Sequence, residues 1–175
     1  YYEIIQTLTD ADFQRTYTNE FKRMFVKKYL QDNSNATELD CSEGKHGEIG
    51  LNEVVYIASF LKKKGTNLQG LSLKNCEIQN LEMRTLANAL IVNKTLEKLD
   101  VSKNGIGYQG VESLANALKE NQTLTSINLG SNLIGDVGIE KLANALIDNE
   151  SVANLDVSNN NIGNQGLKVL ICLLY

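Results

Sequence analysis

The sequence predicts an α/β solenoid, a segment of a right-handed horseshoe with a parallel sheet inside, helices outside and a helical cap at its N-terminal end. Three observations predict it. Residues 68–95, 96–123 and 124–151 are one 28-residue phrase written three times, LQGLSLKNCEIQNLEMRTLANALIVNKT, LEKLDVSKNGIGYQGVESLANALKENQT and LTSINLGSNLIGDVGIEKLANALIDNES, and a fixed period of that length marks stacked repeats. Within each copy the apolar positions first alternate, as in a half-buried strand, and then recur at helical spacing. A helix about 10 Å across beside strands about 4.8 Å apart cannot stack straight, so the array must curve with its strands on the inside.

Residues 1–35 read as the cap. Asp10 or Asp12 starts a helix in which Phe13, Tyr17, Phe21, Phe25 and Tyr29 recur every four residues, widened by Met24 and Leu30. That stripe covers the otherwise open end of the array, as terminal repeats require. Lys22, Arg23, Lys27 and Lys28 on the same segment leave a second reading, a helix lying on a membrane surface or an acidic partner. A degenerate first repeat follows at 36–67, then the three clear copies, then a shortened fifth at 152–175. The first repeat holds about three extra residues in Cys41-Ser42-Glu43-Gly44-Lys45-His46-Gly47-Glu48, between its strand and helix. In the fifth, Leu170-Ile171-Cys172-Leu173-Leu174 replaces the Leu-Ala-Asn-Ala-Leu phrase, and the bulky edge is expected to pair with another copy or further chain.

In the copy at 96–123, Leu96, Leu99, Val101 and Ile106 point inward from the strand and turn, and Val111, Leu114, Ala115, Ala117 and Leu118 form the inward helical stripe. The alanines keep neighbouring helices close; larger side chains there would overpack by about 1–3 kcal/mol. At the strand exit Asn104, Asn132 and Asn160 stand 28 apart, with Cys76 in the same place one repeat earlier. This reads as a structural ladder whose amides satisfy backbone groups left unpaired by an abrupt turn, the thiol being a weaker substitute. Gly110, Gly138 and Gly166 recur at the helix start, where Glu82 and Glu53 stand in the earlier copies, and Asp136 and Asn164 are placed to cap their own helices while Tyr108 is not. The motifs at Asn93, Asn121 and Asn149 match the glycosylation pattern but recur just after each helix, so they read as left-handed caps; the match at Asn35 is discounted with them.

The pattern Leu-x-x-Leu-x-Leu-x-x-Asn/Cys, followed by an Ile-Gly-x-x-Gly-x-x-x-Leu-Ala-x-Ala-Leu helix over residues 36–175, resembles the ribonuclease-inhibitor-type leucine-rich repeat. The resemblance implies recognition of a protein partner and no enzymatic activity. Relatives of this kind include inhibitors, innate immune sensors, GTPase regulators and eukaryotic-like effectors that intracellular bacteria deliver into hosts. The chain lacks the nucleotide-binding domain of the sensors, the acidic tail of the GTPase activator and the catalytic domain of ligase effectors. Two readings follow: a recognition module, in its narrower form an effector acting in a host cytosol, and a regulatory domain of a larger sensor or GTPase regulator.

Strand alternation places the candidate partner-binding residues on the concave face: Glu38, Asp40, Ser72, Lys74, Lys98, Asp100, Ser102, Asn128, Asn154, Asp156 and Ser158. They are small and polar, without the Trp, Tyr or Arg anchors typical of tight interfaces, so loops or the cap must add affinity. Asp40, Asp100 and Asp156 alternate with Ser72 and Asn128, which keeps like charges off adjacent strands and suits weak contact with a basic surface, while carboxylates about 10 Å apart cannot share one cation.

A net charge of −4 and a pI near 5.1 argue against nucleic acid as partner. His46 is the single histidine and has no second ligand at zinc spacing, Gly44-Lys45 lacks the flanking residues of a phosphate loop, and no nucleophile pairs with a base. No catalytic residue, metal site or cofactor is expected. No run is long and apolar enough to span a bilayer, no signal-peptide order opens the chain, and Cys41, Cys76 and Cys172 are an odd number in separate repeats, so a reducing cytoplasm is the expected location.

Overall fold

The computed structural model describes residues 26–33, 35–42 and 49–174. Five three-residue strands, β1 (Glu38–Asp40), β2 (Gly70–Ser72), β3 (Lys98–Asp100), β4 (Ser126–Asn128) and β5 (Asn154–Asp156), form one parallel sheet in the order of the chain. A helix over residues 26–32, α1, precedes β1. After each strand comes a helix: α2 (Leu51–Leu61), α3 (Asn80–Leu90), α4 (Tyr108–Leu118), α5 (Gly135–Leu146) and α6 (Asn164–Leu174). The register steps by one repeat at each rung, so Glu38, Gly70, Lys98, Ser126 and Asn154 form one row and Asp40, Ser72, Asp100, Asn128 and Asp156 another.

The core is a continuous layer between sheet and helices. Leu96, Leu99, Val101, Ile106, Val111, Leu114, Ala115, Ala117 and Leu118 are all buried, as the alternating and then helical pattern predicts. The first repeat is longer than the rest in two places: ten residues (41–50) separate β1 from α2 against seven (73–79) in the next repeat, and Gly65, at φ +81°, takes up one more between α2 and β2. Residues 43–48, including His46, lie outside the described residues, as do Phe13, Tyr17, Phe21, Met24 and Phe25 of the expected cap stripe. Within the described part of α1 it is Val26 and Leu30 that are buried in the common core, while Tyr29 is half-buried at its border.

Two ladders of asparagine tie the repeats together. In the first, Asn104 donates to Leu73 O and Val101 O, at 2.8 and 2.9 Å, and its Oδ1 accepts from Cys76 N and Ile78 N. Asn132 donates to Val101 O and Leu129 O and accepts from Ile106 N, and Asn160 repeats the pattern with Leu129 O, Val157 O, Asn132 N and Ile134 N. The turn that presents these amides is tight: Asn75, Lys103, Ser131 and Asn159 precede the ladder positions with φ between 54° and 58°. Cys76 takes the place of an asparagine, its Sγ lying 3.1 Å from Cys41 O and 3.5 Å from Lys74 O, two acceptors for the one weak donor of a thiol where an amide has two strong ones.

The second ladder corrects the expected role of the glycosylation-like asparagines. Asn93, Asn121 and Asn149 are buried, and none adopts the left-handed conformation. Asn121 donates to Leu90 O and Asn93 O and accepts from Thr123 N and Leu124 N; Asn149 does the same with Leu118 O, Asn121 O, Ser151 N and Val152 N. Asn93 reaches Leu61 O and accepts from Thr95 N and Leu96 N. An amide nitrogen enclosed in this way has no room for a sugar.

Helix capping also differs from expectation, for a reason the geometry makes plain. Asp136 does not cap its own helix; its Oδ1 accepts from Gly163 N of the next repeat at 2.7 Å. Asn80 likewise accepts from Gly107 N and Gly110 N, at 2.8 and 3.0 Å, across the preceding junction. Glycine at the third helical position permits this approach, since a Cβ on Gly110 would lie 3.2 Å from Asn80 Cα. Where glutamate stands instead, the helix caps itself: Glu53 accepts from Gly50 N and Glu82 from Gln79 N. Tyr108 occupies the position of Asn80 and Asp136 but has no such acceptor. Its neighbour α5 starts without a side-chain cap, with Gly135 at φ +63° and its N–H turned to Asn160 O.

Replacing Asn132 by alanine would strand several buried backbone groups, so urea unfolding should show a loss of about 3 kcal/mol, with Asn132→Cys losing roughly half as much because a thiol retains one donor. Tyr108→Asn should act in the opposite direction, restoring the missing cap and raising stability by about 0.5–1 kcal/mol in the same assay.

Candidate functional site

One face of the sheet carries no helix and presents the two rows of strand side chains to solvent. Glu38, Asp40, Gly70, Ser72, Lys98, Asp100, Ser126 and Asn128 line one shallow groove along it. The register extends the rows to Asn154 and Asp156, both exposed on the last strand. Ser158 follows at the exposed strand exit, while Lys74 is half-buried at the equivalent place in the second repeat. Ser102 departs from expectation: its neighbours close over the short side chain, which is buried and offers little to a partner. The carboxyl group of Glu38 lies directly over Gly70, using the space that the missing side chain leaves.

The acidic residues of the groove have a structural duty that alternation alone does not reveal. Asp40, Asp100 and Asp156 each accept through Oδ1 from the backbone N–H two residues on, Ser42, Ser102 and Ser158, at 2.9 Å in every case. Asn128 does the same with Gly130 N at 3.0 Å. These are Asx turns that steer the chain out of the strand, and the signal for them was an Asp or Asn two residues ahead of a small residue at the ends of β1, β3, β4 and β5. At Asp156 the Ser158 backbone and hydroxyl donors hold the carboxyl below its ordinary range. The second oxygen of Asp100 accepts from the Asn128 amide at 3.4 Å. Among the described residues no cluster of histidine, cysteine or carboxylate side chains converges as a metal site would require.

The thiols behave as core. Cys41 and Cys76 are buried, and their pKa values are pushed from 9.0 up to about 12, first by burial; for Cys41 the Cys76 thiolate and then Asp40 add to this, and for Cys76 Asp40 does. Cys172 is exposed on α6.

A leucine-rich repeat family model matches residues 92–115, 120–143 and 148–170, each span running from the end of one helix through strand and turn into the next. Ribonuclease inhibitor of Sus scrofa is 36% identical over 86 residues, 49% of this chain and 18% of the inhibitor. The array folds as leucine-rich repeats and is similar in sequence to those of ribonuclease inhibitor. Leucine-rich repeats of the same kind occur in the human NACHT, LRR and PYD domains-containing protein 12, which is 35% identical over 82 residues, 47% of this chain and 7% of that protein. The chain therefore matches less than a fifth of the length of either relative. Two solved structures share the fold: the C-terminal domain of tropomodulin from Caenorhabditis elegans, with a TM-score of 0.69 at 15% identity over 87% of this chain and 90% of that one, and the leiomodin-1 actin-binding site 2, with 0.68 at 19% identity over 85% and 84%. At those identities the likeness concerns the fold alone.

Within this leucine-rich repeat array, the sequence located the rows correctly but missed the Asx turns and the cross-repeat caps. At the C-terminal edge Leu170 is half-buried against the core, and among the described side chains of the fifth repeat the exposed bulky ones are Leu167 and Ile171. Among the described residues no helix is long and apolar enough to cross a membrane.

A thiol reagent added to the native protein at neutral pH should modify Cys172 rapidly and leave Cys41 and Cys76 intact until denaturant is added, counted by mass spectrometry. Both buried groups are raised above their unfolded value, so the stability they lend is complete below pH 9 and is lost as pH climbs toward 12. Cys41→Ala should flatten that alkaline limb in urea titrations.

Proposed function

We propose that the chain is a protein-recognition module that receives its partner on the open sheet face and the loops beside it. The observation that carries this reading is the pair of parallel polar rows, ten positions in strict register on a face that no element of the described structure covers. A flat ladder of short side chains excludes little water by itself, and Lys98 stands between Gly70, over which the Glu38 carboxyl lies, and Ser126, with Asp100 two residues on in the same strand, so the surface fits a partner with mixed charge and a basic bias. Repeat arrays of this geometry use their curvature as an extended binding surface. Non-enzymatic action belongs to the same proposal, supported by the similarity to ribonuclease inhibitor.

The regulatory reading is favoured by a different observation: the NACHT, LRR and PYD domains-containing relatives match this chain over only 7–10% of their length, so such an array occurs there as one part of a larger protein. A cytoplasmic location, including a host cytosol for an effector, rests on the two buried, unlinked thiols and the absence of any cysteine pairing in the sequence pattern. Self-association through the C-terminal edge is supported by the outward-facing Leu167 and Ile171.

A photoreactive amino acid placed at Ser126, in the groove, should crosslink to one defined protein in source or host lysate, whereas the same group at the exposed Asn116 on the outer helix should not. Equal crosslinking from both positions, or from neither, would reject the concave-face reading.

A further inference from the structure

We infer that a second contact surface lies on the rim where strands pass into helices, centred on Tyr108, and that it takes an extended segment of a partner protein bearing an apolar side chain next to lysine or arginine. This rests on the protein-recognition reading but places the anchor away from the concave face. Tyr108, Leu133 and Val137 are 46%, 60% and 53% exposed. The backbone brings them together: Gly107 forms a parallel bridge with Leu133, Leu133 N donates to Ile106 O at 2.9 Å, and a Cβ on Gly138 would sit 3.3 Å from Tyr108 Cα.

The patch is a departure from the repeat, not a part of it. The counterparts of Tyr108 are Asn80, Asp136 and Asn164, and those of Leu133 are Glu77, Gly105 and Asn161. Packing does not require the tyrosine, and its presence removes the cap that the same position provides at the neighbouring junctions. An exposed aromatic held at a cost to stability, beside two exposed aliphatic side chains, is the anchor type that the concave rows lack.

Charge specifies the occupant. Asp136 adjoins Val137, Glu140 lies one helical turn above it, and Glu112 lies one turn above Tyr108. Lys141 pairs with Glu112 at 3.2 Å and neutralises only that carboxylate. An apolar anchor fringed by uncompensated acid selects basic residues on the incoming segment and repels acidic ones.

The test is fluorescence polarisation with a fluorescein-labelled peptide of alternating leucine and lysine, and its leucine–glutamate counterpart, against the whole chain. The lysine peptide should bind saturably and the glutamate peptide should not; Tyr108→Asn should weaken binding about tenfold or more while its thermal midpoint is equal to or above that of the parent. In the Asp100→Ala, Asp156→Ala background, which alters the concave rows, Tyr108→Asn should weaken binding of the lysine peptide by the same factor. Absence of saturable binding, equal binding of both peptides, or undiminished binding by Tyr108→Asn would overturn the inference. Weakening confined to the Asp100/Asp156 variant would also overturn it while leaving the concave-face reading intact. A dimer in sedimentation that Tyr108→Asn dissolves would assign the rim to a second copy and overturn the occupant named here.

Discussion

Every repeat of this array leaves backbone N–H and C=O groups pointing along the stack at both ends of its strand, away from water, and the structure stands because side-chain amides from the adjacent repeat reach them. An asparagine is suited to this task since it carries two donors and an acceptor on one short planar group. Asn104, Asn132 and Asn160 serve the strand exit, and Asn93, Asn121 and Asn149 serve the turn after the helix. The apolar layer alone would hold the elements together loosely; the paired amides fix one register, because a slip would orphan several buried polar groups at once. The short strands depend on that constraint, since three residues each provide few ladder bonds of their own.

The fixed register is also what makes a surface. Side chains 28 residues apart become neighbours, and the rows from Glu38 to Asn154 and from Asp40 to Asp156 follow without any further specification. The Asx turns at Asp40, Asp100, Asn128 and Asp156 steer the backbone with the same polar groups that stand in these rows. The turns and the proposed contact therefore share the same residues, so substitutions along these rows should be read as changes to the turn as well as to that contact.

The architecture was legible in the sequence because period and hydrophobic alternation report directly on geometry. Strand rows, helical stripes and the exit ladder at Cys76, Asn104, Asn132 and Asn160 required only counting. The roles of Asn93, Asn121 and Asn149 were not legible, since an asparagine after a helix has two common uses and only the position of the neighbouring carbonyls separates them. The cap exchange through Asn80 and Asp136 was hidden for a related reason: it joins residues 27 to 30 positions apart, a separation at which local capping rules carry no information. Ser102 was misplaced because alternation gives the face toward which a residue points but not how closely its neighbours cover it.

In both ladders the hydrogen bonds that cross between repeats run one way: each asparagine reaches back to carbonyls of the repeat that came before it in the chain. During synthesis, then, no repeat can close its own backbone until the following 28 residues have left the ribosome. At about 5–20 residues per second that is a delay of roughly one and a half to six seconds per unit. The growing polypeptide always trails one unfinished rung at its newest end, and cellular chaperones would meet the nascent array at that moving boundary.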